Sequence, residues 1–265
     1  MITSRQNSKI QWVKALQARS EQRLESQAFV IEGVRLAEEA LASGWKAQLA
    51  LYTEDLDERG QQVVKGLADH GCPVEMVTPP VMRAASDTLS PQGLLIVISL
   101  SSLPIPEELN FVLIPDCLRD PGNLGSILRT ALAAGVDAVV LPPGTVDVYA
   151  PKVVRSAMGA HFHLPIYMAS WEEIYTLEQA NKLQVYVAAA NAGLIYSQVN
   201  LRQPLALVIG GEAEGASQAA WSQDHICIRI PMSARVESLN AAAAAAVLLF
   251  EVARQRQTHF SASFG

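Results

Sequence analysis

Three short stretches of this 265-residue chain hold the side chains whose types and spacing could do chemistry together. The last is Ile230-Pro231-Met232-Ser233-Ala234-Arg235-Val236-Glu237-Ser238-Leu239-Asn240, which follows an apolar strand pattern (Ile226, Ile228, Ile230) and runs into Ala241–Phe250. That helix opens on an unbroken alanine run, Ala241–Ala246. Alanine is the best helix former and a very small side chain, so the helix can lie close against another backbone. Loops at strand carboxyl ends are where open α/β sheets bind ligands. Here Ser238 and Asn240 put a hydroxyl and an amide beside apolar surface. The plainer reading is that Ser238 caps the helix and Asn240 ends the turn, since both types are favoured caps. An earlier stretch is Asp120-Pro121-Gly122-Asn123-Leu124-Gly125-Ser126-Ile127-Leu128-Arg129-Thr130-Ala131. Pro and Gly set its turn, Asn123 can cap the helix that follows, and Arg129 falls in that helix's second turn. An arginine there is ordinarily a solvated charge; facing the sheet's carboxyl edge, it could hold a phosphate bidentately. Between them lies Gly210-Gly211-Glu212-Ala213-Glu214-Gly215, after another apolar strand. Adjacent glycines let a backbone approach a ligand closely. No Gly-Lys-Ser/Thr follows, the spacing is not GxGxxG, and two glutamates suit a neutral or cationic ligand better than a pyrophosphate.

The elements that carry these loops alternate. Residues 1–25 read as a polar helical lead-in with Ile10, Val13 and Leu16 on one face. Strands are expected at Phe29–Ile31, Leu49–Tyr52, Val74–Val77 and Leu94–Leu100, with helices at Val34–Ala42, Gln61–His70 and Val81–Thr88. Ser101–Glu108, with Pro104 and Pro106, reads as a linker. Two domains are therefore expected, residues 1–105 and 106–265. The second reads as strands Phe111–Pro115, Ala138–Leu141, Phe162–Ile166, Gln184–Ala189, Leu205–Ile209 and Ile226–Ile230. Helices over Leu124–Ala134, Ala150–Met158, Trp171–Asn181 and from Ala241 to Arg254 alternate with them. Such alternation predicts a mostly parallel α/β sheet with helices on both faces.

Half of the chain is hydrophobic, enough for a real core and against a disordered protein. Met1–Lys14 is polar and basic, unlike a signal peptide, and Ala241–Phe250 is shorter than the roughly 20 residues that span a bilayer. Cys72, Cys117 and Cys227 are odd in number and outside any CxxC spacing, which argues for a reducing compartment and against structural zinc. A cytoplasmic protein without membrane partner or metal is expected. The net charge of −6 counts against a polyanionic partner, but residues 1–35 hold Arg5, Lys9, Lys14, Arg19, Arg23 and Arg35 against Glu21, Glu25 and Glu32. This basic end suits a phosphate footprint or a solvated helix face equally.

In order and spacing, the three stretches resemble the signature motifs of the SpoU-type RNA 2′-O-ribose methyltransferases of the SPOUT superfamily. The resemblance rests on Asn123 to Ala131, on Ile209-Gly210-Gly211-Glu212-Ala213-Glu214-Gly215, and on Ile230-Pro231-Met232 through Ser238-Leu239-Asn240. The amino half is similar to the substrate-binding domain of the family's ribosomal-RNA branch, through Ser4-Arg5-Gln6-Asn7-Ser8-Lys9, Phe29-Val30-Ile31-Glu32-Gly33-Val34-Arg35 and Pro91-Gln92-Gly93. The transfer-RNA enzymes generally lack that domain. The resemblance implies a small α/β RNA-binding domain followed by a SPOUT domain with a carboxyl-terminal trefoil knot. It also implies a homodimer with the closing helix near the partner. S-adenosylmethionine would lie in the knot against Gly210, Gly211, Ile230, Met232 and Leu239. Arg129 would hold the target phosphate and contact the 2′-oxygen, with Asn123, Glu212, Ser238 and Asn240 shaping the pocket. Arg5, Lys9 and Arg35 would supply RNA affinity, mostly through phosphates. Two departures stand out: Ala241-Ala242 where relatives often carry Val-Ser, and Ala234 where glycine is frequent. The expected reaction is methyl transfer to a ribose 2′-hydroxyl, in ribosomal RNA ahead of transfer RNA. A non-catalytic RNA-binding protein on the same fold is the alternative from another class. A dinucleotide oxidoreductase lacks both GxGxxG and the acidic residue about 20 positions on.

Overall fold

Alternating apolar residues in β1 (Ala28–Glu32), β2 (Ala47–Tyr52), β3 (Val74–Met76) and β4 (Leu94–Ser99) build a four-stranded sheet ordered β1-β4-β2-β3. Between β1 and β2, β4 runs antiparallel to both, and β3 runs parallel to β2. Period-two alternation sends neighbouring side chains to opposite faces. Phe29, Ile31, Ile96 and Ile98 meet α3 (Val34–Ala42) and α4 (Glu58–Asp69). Ala28, Val30, Leu95 and Val97 meet α1 (Ser8–Ala18) and α5 (Pro79–Ala85) on the other side. A short α2 (Ser20–Ser26) links α1 to β1. The computed structural model describes residues 1–212, 214–222, 224–233 and 238–256. Ala213 and residues 234–237, Ala234 among them, lie outside the described residues.

Two compact units make up the chain. In the second, β5 (Phe111–Asp116) leads into α6 (Pro121–Ala134) and β6 (Ala138–Leu141). The next segment, Asp147–His163, groups with the first unit rather than with the domain in which the sequence puts it. It contains α7 (Pro151–Ala157), whose Val154 joins the core around Phe29 together with Phe162. The Tyr149 ring lies 5.0 Å from that of Phe29. Asp147 Oδ2 accepts from Arg23 Nε at 2.8 Å and Nη2 at 2.5 Å, while Arg23 Nη1 donates to the Leu16 carbonyl. Arg23 is thus buried in an internal ion pair, not free for an external phosphate. The expected strand Phe162–Ile166 does not form. Phe162 closes a 3₁₀ turn, Pro165 has no amide for a ladder, and the strand starts after it as β7 (Ile166–Met168).

The remaining elements are α8 (Trp171–Asn181), β8 (Gln184–Ala188), a two-residue β9 (Leu194–Ile195), β10 (Leu205–Gly210), β11 (Ile226–Arg229) and α9 (Ala241–Gln255). Their sheet runs β7-β6-β5-β10-β8-β11-β9 with every described pairing parallel. Central strands buried on both faces read as continuous apolar runs, as Leu205–Ile209 does. One face packs Val112, Ile114, Val185 and Val208 with Ile174 of α8. On the second unit's helices, α9 packs against α6 and β10. Gly210 sits opposite Asp116 in register, so the loops after β5 and β10 leave the sheet side by side. Among the described residues, no helix is long and apolar enough to cross a membrane.

Candidate active site

Asp120, not Asn123, caps α6: its Oδ1 accepts the Asn123 backbone amide at 2.8 Å, with Pro121 opening the helix. An N-cap side chain reaches the amide of the third helical residue, so the cap lies three positions before Asn123. That leaves the Asn123 carboxamide free to bridge. Its Nδ2 donates to Glu212 Oε1, and its Oδ1 accepts from Asn240 Nδ2 at 3.0 Å. Asn240 Oδ1 in turn accepts the Ala242 and Ala243 amides at 2.9 and 3.3 Å, so Asn240, rather than Ser238, caps α9. The three motif loops are joined by one polar chain, Asn240 to Asn123 to Glu212. A carboxylate only accepts, and a capping oxygen must face the helix amides, so both ends dictate how the two amides are turned.

The middle loop is pinched shut. The Gly211 amide donates to the Gly215 carbonyl at 3.0 Å, and the Gly215 amide donates to the Gly211 carbonyl at 3.1 Å. A Cβ on Gly210 would lie 2.2 Å from the Ala216 nitrogen, and one on Gly211 would lie 2.3 Å from the Cys117 carbonyl oxygen. Both glycines therefore answer to crowding by backbone. Beneath them, the buried Asp116 carboxylate accepts the Ser217 amide at 2.6 Å, tying the loop to β5. Burial and the neighbouring Asp116 carboxylate push the Cys117 thiol above its ordinary pKa, which keeps it protonated at neutral pH.

A cavity of about 500 Å³ opens beside this loop. All of Gly210, Gly211, Ile230, Met232 and Leu239 line it, with Glu212 and Ser238 at the same wall. Its size and mixture of bare backbone and aliphatic side chains suit a nucleoside-sized ligand. Sequence reasoning missed Ala188–Asn191, Trp221, Ala244 and Leu248, which also line it. Trp221 carried no motif, and small residues such as Ala189 signal nothing until a neighbouring strand brings them to the pocket. Arg129 and Asn123 do not line the cavity. Arg129 is exposed on α6, six residues past Asn123 and so about 9 Å further along the axis. It makes no hydrogen bond or ion pair among the described residues. Ala242 is half-buried, and its amide serves the Asn240 cap.

The three basic residues assigned to RNA are not gathered in one place. Arg35 stands exposed in the first turn of α3 and lines a separate cavity with Arg59 and Arg83. Arg5 and Lys9 do not line that cavity. The Lys9 ammonium is ion-paired with Glu75, and that pairing holds the Glu75 carboxyl below its usual pKa. The Arg5 carbonyl accepts from Gln11 Nε2 at 2.7 Å, and its side chain is exposed. Among the described residues, no group of three or more His, Cys, Asp or Glu could hold a metal ion.

Asn240→Ala is expected to lower stability by about 0.5–2 kcal/mol, because two first-turn amides of α9 lose their acceptor. Asn240→Ser should recover most of that loss while leaving Asn123 without its donor. Urea denaturation measures both, and an unchanged midpoint for the alanine variant would rule out the capping role.

A family model described as the SpoU rRNA methylase family matches residues 110–250, and one described as the MRM3-like substrate binding domain matches residues 7–96. The chain is 33% identical over 255 residues to the 23S rRNA (guanosine(2553)-2'-O)-methyltransferase RlmP of Bacillus subtilis (strain 168), covering 95% of this chain and 98% of that protein. Among solved structures, the AdoMet-bound rRNA methyltransferase from Sinorhizobium meliloti superposes with a TM-score of 0.87 at 29% identity, covering 97% of this chain and 98% of that one. The SpoU methyltransferase AviRb from Streptomyces viridochromogenes, in complex with the cofactor AdoMet, gives 0.86 at 27% identity, covering 95% and 98%.

Proposed function

This chain belongs to the SpoU rRNA methylase family, and from that premise we propose that it methylates a ribose 2′-hydroxyl of ribosomal RNA with S-adenosylmethionine as donor. The observation that carries the reading is the cavity whose wall is the bare backbone of Gly210 and Gly211, facing Ile230, Met232 and Leu239. Glycines with no room for a Cβ let the loop fold tightly against Cys117 and Ala216 and so leave a backbone wall for an adenosine, while aliphatic side chains cover the flat faces of the base. The MRM3-like match over residues 7–96 supports a ribosomal over a transfer RNA.

The bound cofactor supplies an electrophilic methyl on a sulfur that leaves without charge, so the reaction calls for no metal. The chain's own residues then have three tasks. Gly210, Gly211 and the aliphatic wall hold the donor still, since in-line displacement needs approach to about 3 Å with aligned orbitals. The Asn240–Asn123–Glu212 chain locks the three loops together and keeps the Glu212 carboxylate at the cavity rim, where a cationic ligand is favoured. Arg129 receives the target phosphate and stabilises the negative charge that develops on the 2′-oxygen; its planar cationic fork makes it an electrostatic partner rather than a base. Ser238, at the same wall, offers a hydroxyl to the ribose. The carboxyl-terminal segment would carry the trefoil knot typical of the fold.

A homodimer is part of the same reading. Leu132 on α6 and Val247 and Phe250 on α9 are large apolar side chains left exposed, on two helices that pack together. A second copy of the chain would cover them. Phe250→Asp is expected to shift the protein from dimer to monomer in light scattering. The same mass for both proteins would overturn this.

Transfer of radiolabelled methyl to large-subunit ribosomal RNA, small-subunit ribosomal RNA and transfer RNA, offered separately, tests the function. Label in one ribosomal RNA within alkali-resistant dinucleotides is the expected result. Label in transfer RNA alone overturns the substrate, and failure to bind S-adenosylmethionine overturns the enzyme.

A further inference from the structure

The loop between α5 and β4 is held from beneath by one carboxylate. Glu32, at the end of β1, accepts from Ser86 Oγ at 2.7 Å, Thr88 Oγ1 at 2.8 Å and the Gln92 amide at 3.3 Å. Ser86 Oγ also accepts the Thr88 amide at 2.9 Å. On the far side, Gln92 Oε1 fills the space that a Cβ on Gly33 would need, 2.2 Å away, and Gly33 itself sits at a φ of +96°. The Gly33 amide donates to the Leu94 carbonyl at 3.0 Å. A loop pinned at both ends thus presents Leu89, which is 101% exposed.

A lone exposed leucine needs no explanation. This one, however, stands on the rim of a cavity of about 730 Å³ that Arg35, Arg59 and Arg83 also line. Arg59 is bonded to Glu38 through both arms of its guanidinium. Arg35 and Arg83 have neither a hydrogen bond nor an ion pair among the described residues, and both are exposed. Of the two acids in the lining, Asp57 caps α4, where it accepts the Gly60 amide at 2.7 Å, and Asp55 is exposed, so the three arginines outnumber the acids there. Pro79, Met82 and Pro91 give the rest of the wall an apolar character.

We infer that this cavity seats one unpaired nucleotide of the RNA substrate, its phosphate between Arg35 and Arg83 and its base against Leu89. The inference rests on the reading of the chain as an RNA methyltransferase, and adds where and how the amino unit takes hold. Phosphate contacts orient an RNA without naming its sequence. Single-stranded bases, unlike those of an A-form helix, can splay out onto a protein surface, and an apolar side chain inserted at a step unstacks it. A wedge on a loop already anchored by Glu32 loses little freedom on binding. The surface suits RNA over a protein partner, because one exposed leucine in a lining with two arginines that make no ion pair among the described residues offers charge and an apolar contact for a base but no broad apolar patch.

The test uses the full-length protein and protein-free large-subunit ribosomal RNA. Leu89→Ser touches no packed atom, so folding is spared. It should raise the KM for RNA by about tenfold, with the S-adenosylmethionine Kd held within roughly twofold. Glu32→Gln, which withdraws an acceptor from the loop without touching the cavity's cations, should raise KM in the same direction. A photo-reactive benzoylphenylalanine at position 89 should cross-link to a single nucleotide, and Arg35→Ala should reduce that yield. A Leu89→Ser KM equal to that of the unsubstituted protein, or cross-links scattered over many nucleotides, would overturn the inference. Absence of methyl transfer by the unsubstituted protein would count against the functional reading instead. RNA retention on filters, which requires no catalysis, then still decides the role of Leu89.

Discussion

Arg129→Ala is expected to reduce methyl transfer by roughly 100- to 1000-fold, the loss typical of removing one preorganised donor to a developing oxyanion. The S-adenosylmethionine Kd should stay within roughly twofold of the unsubstituted protein, since Arg129 does not line the cofactor cavity. The fold has no reason to suffer. The side chain is exposed, has no partner among the described residues, and occupies a helix position where alanine is the better former. A selective loss of rate would therefore report on chemistry. Arg129→Lys should recover only part of it, because an ammonium keeps the charge but loses the planar fork that grips a phosphate at two points. Single-turnover transfer at saturating RNA, alongside calorimetry for the cofactor, reads both quantities. Turnover by the alanine variant comparable with that of the unsubstituted protein would remove Arg129 from the mechanism.

How far this site was legible beforehand differs from residue to residue. Gly210-Gly211 could be singled out because adjacent glycines are a local departure from what an ordinary connector needs, and Asn123 and Asn240 because they stand in loops of the same kind, which the structure joins by a hydrogen bond. Two of the loops leave the adjacent strands β5 and β10, and the third follows β11, with β8 between, in a parallel sheet. The alternation of strands and helices was readable for the same reason: periodicity is a local signal. Capping was misassigned at both helices, to Asn123 instead of Asp120 and to Ser238 instead of Asn240. Each motif offers two or three residues of capping type, and only the backbone path decides which oxygen meets the first-turn amides. Those corrections change the chemistry, since Asn123 becomes a bridge once it is relieved of capping.

Long-range packing was the part that no local pattern disclosed. The apolar residues of Asp147–His163 alternate with polar ones much as any helix does. Nothing in that stretch says that Val154 and Phe162 belong to the core around Phe29. Charge was equally blind to partners. Arg23 counts toward a basic amino end in the sequence, yet it is consumed by Asp147 more than 100 residues away, and Lys9 is taken by Glu75. Arg35 and Arg83 make no hydrogen bond or ion pair among the described residues, and only one of those two belonged to the expected RNA-binding set. Net charge therefore says less about an RNA surface than a count of which cations have been left without an internal acid.

Gly210→Ala is expected to weaken S-adenosylmethionine binding by about 100-fold, or roughly 2.7 kcal/mol. The added methyl would sit 2.2 Å from both the Ala216 nitrogen and the Gly215 carbonyl carbon, and 2.7 Å from the Gly215 oxygen. All three are backbone atoms, so no side chain can rotate away. The loop closed by the paired Gly211–Gly215 hydrogen bonds must open or shift, and with it the wall of the cavity. Overpacking of this kind also costs about 1–3 kcal/mol of stability, so the binding measurement belongs well below the variant's Tm. Gly193→Ala is the matched control. Nothing lies within 4 Å of its added methyl, and the residue does not line the cavity, so its stability and cofactor Kd should stay near those of the unsubstituted protein. If Gly210→Ala bound the cofactor as tightly as Gly193→Ala, the bare backbone at the end of β10 would not be what recognises the adenosine. If it alone fails, the glycine is there for the close approach of the loop's returning backbone at Gly215 and Ala216, which shapes the cavity wall, not for a turn that only glycine can make.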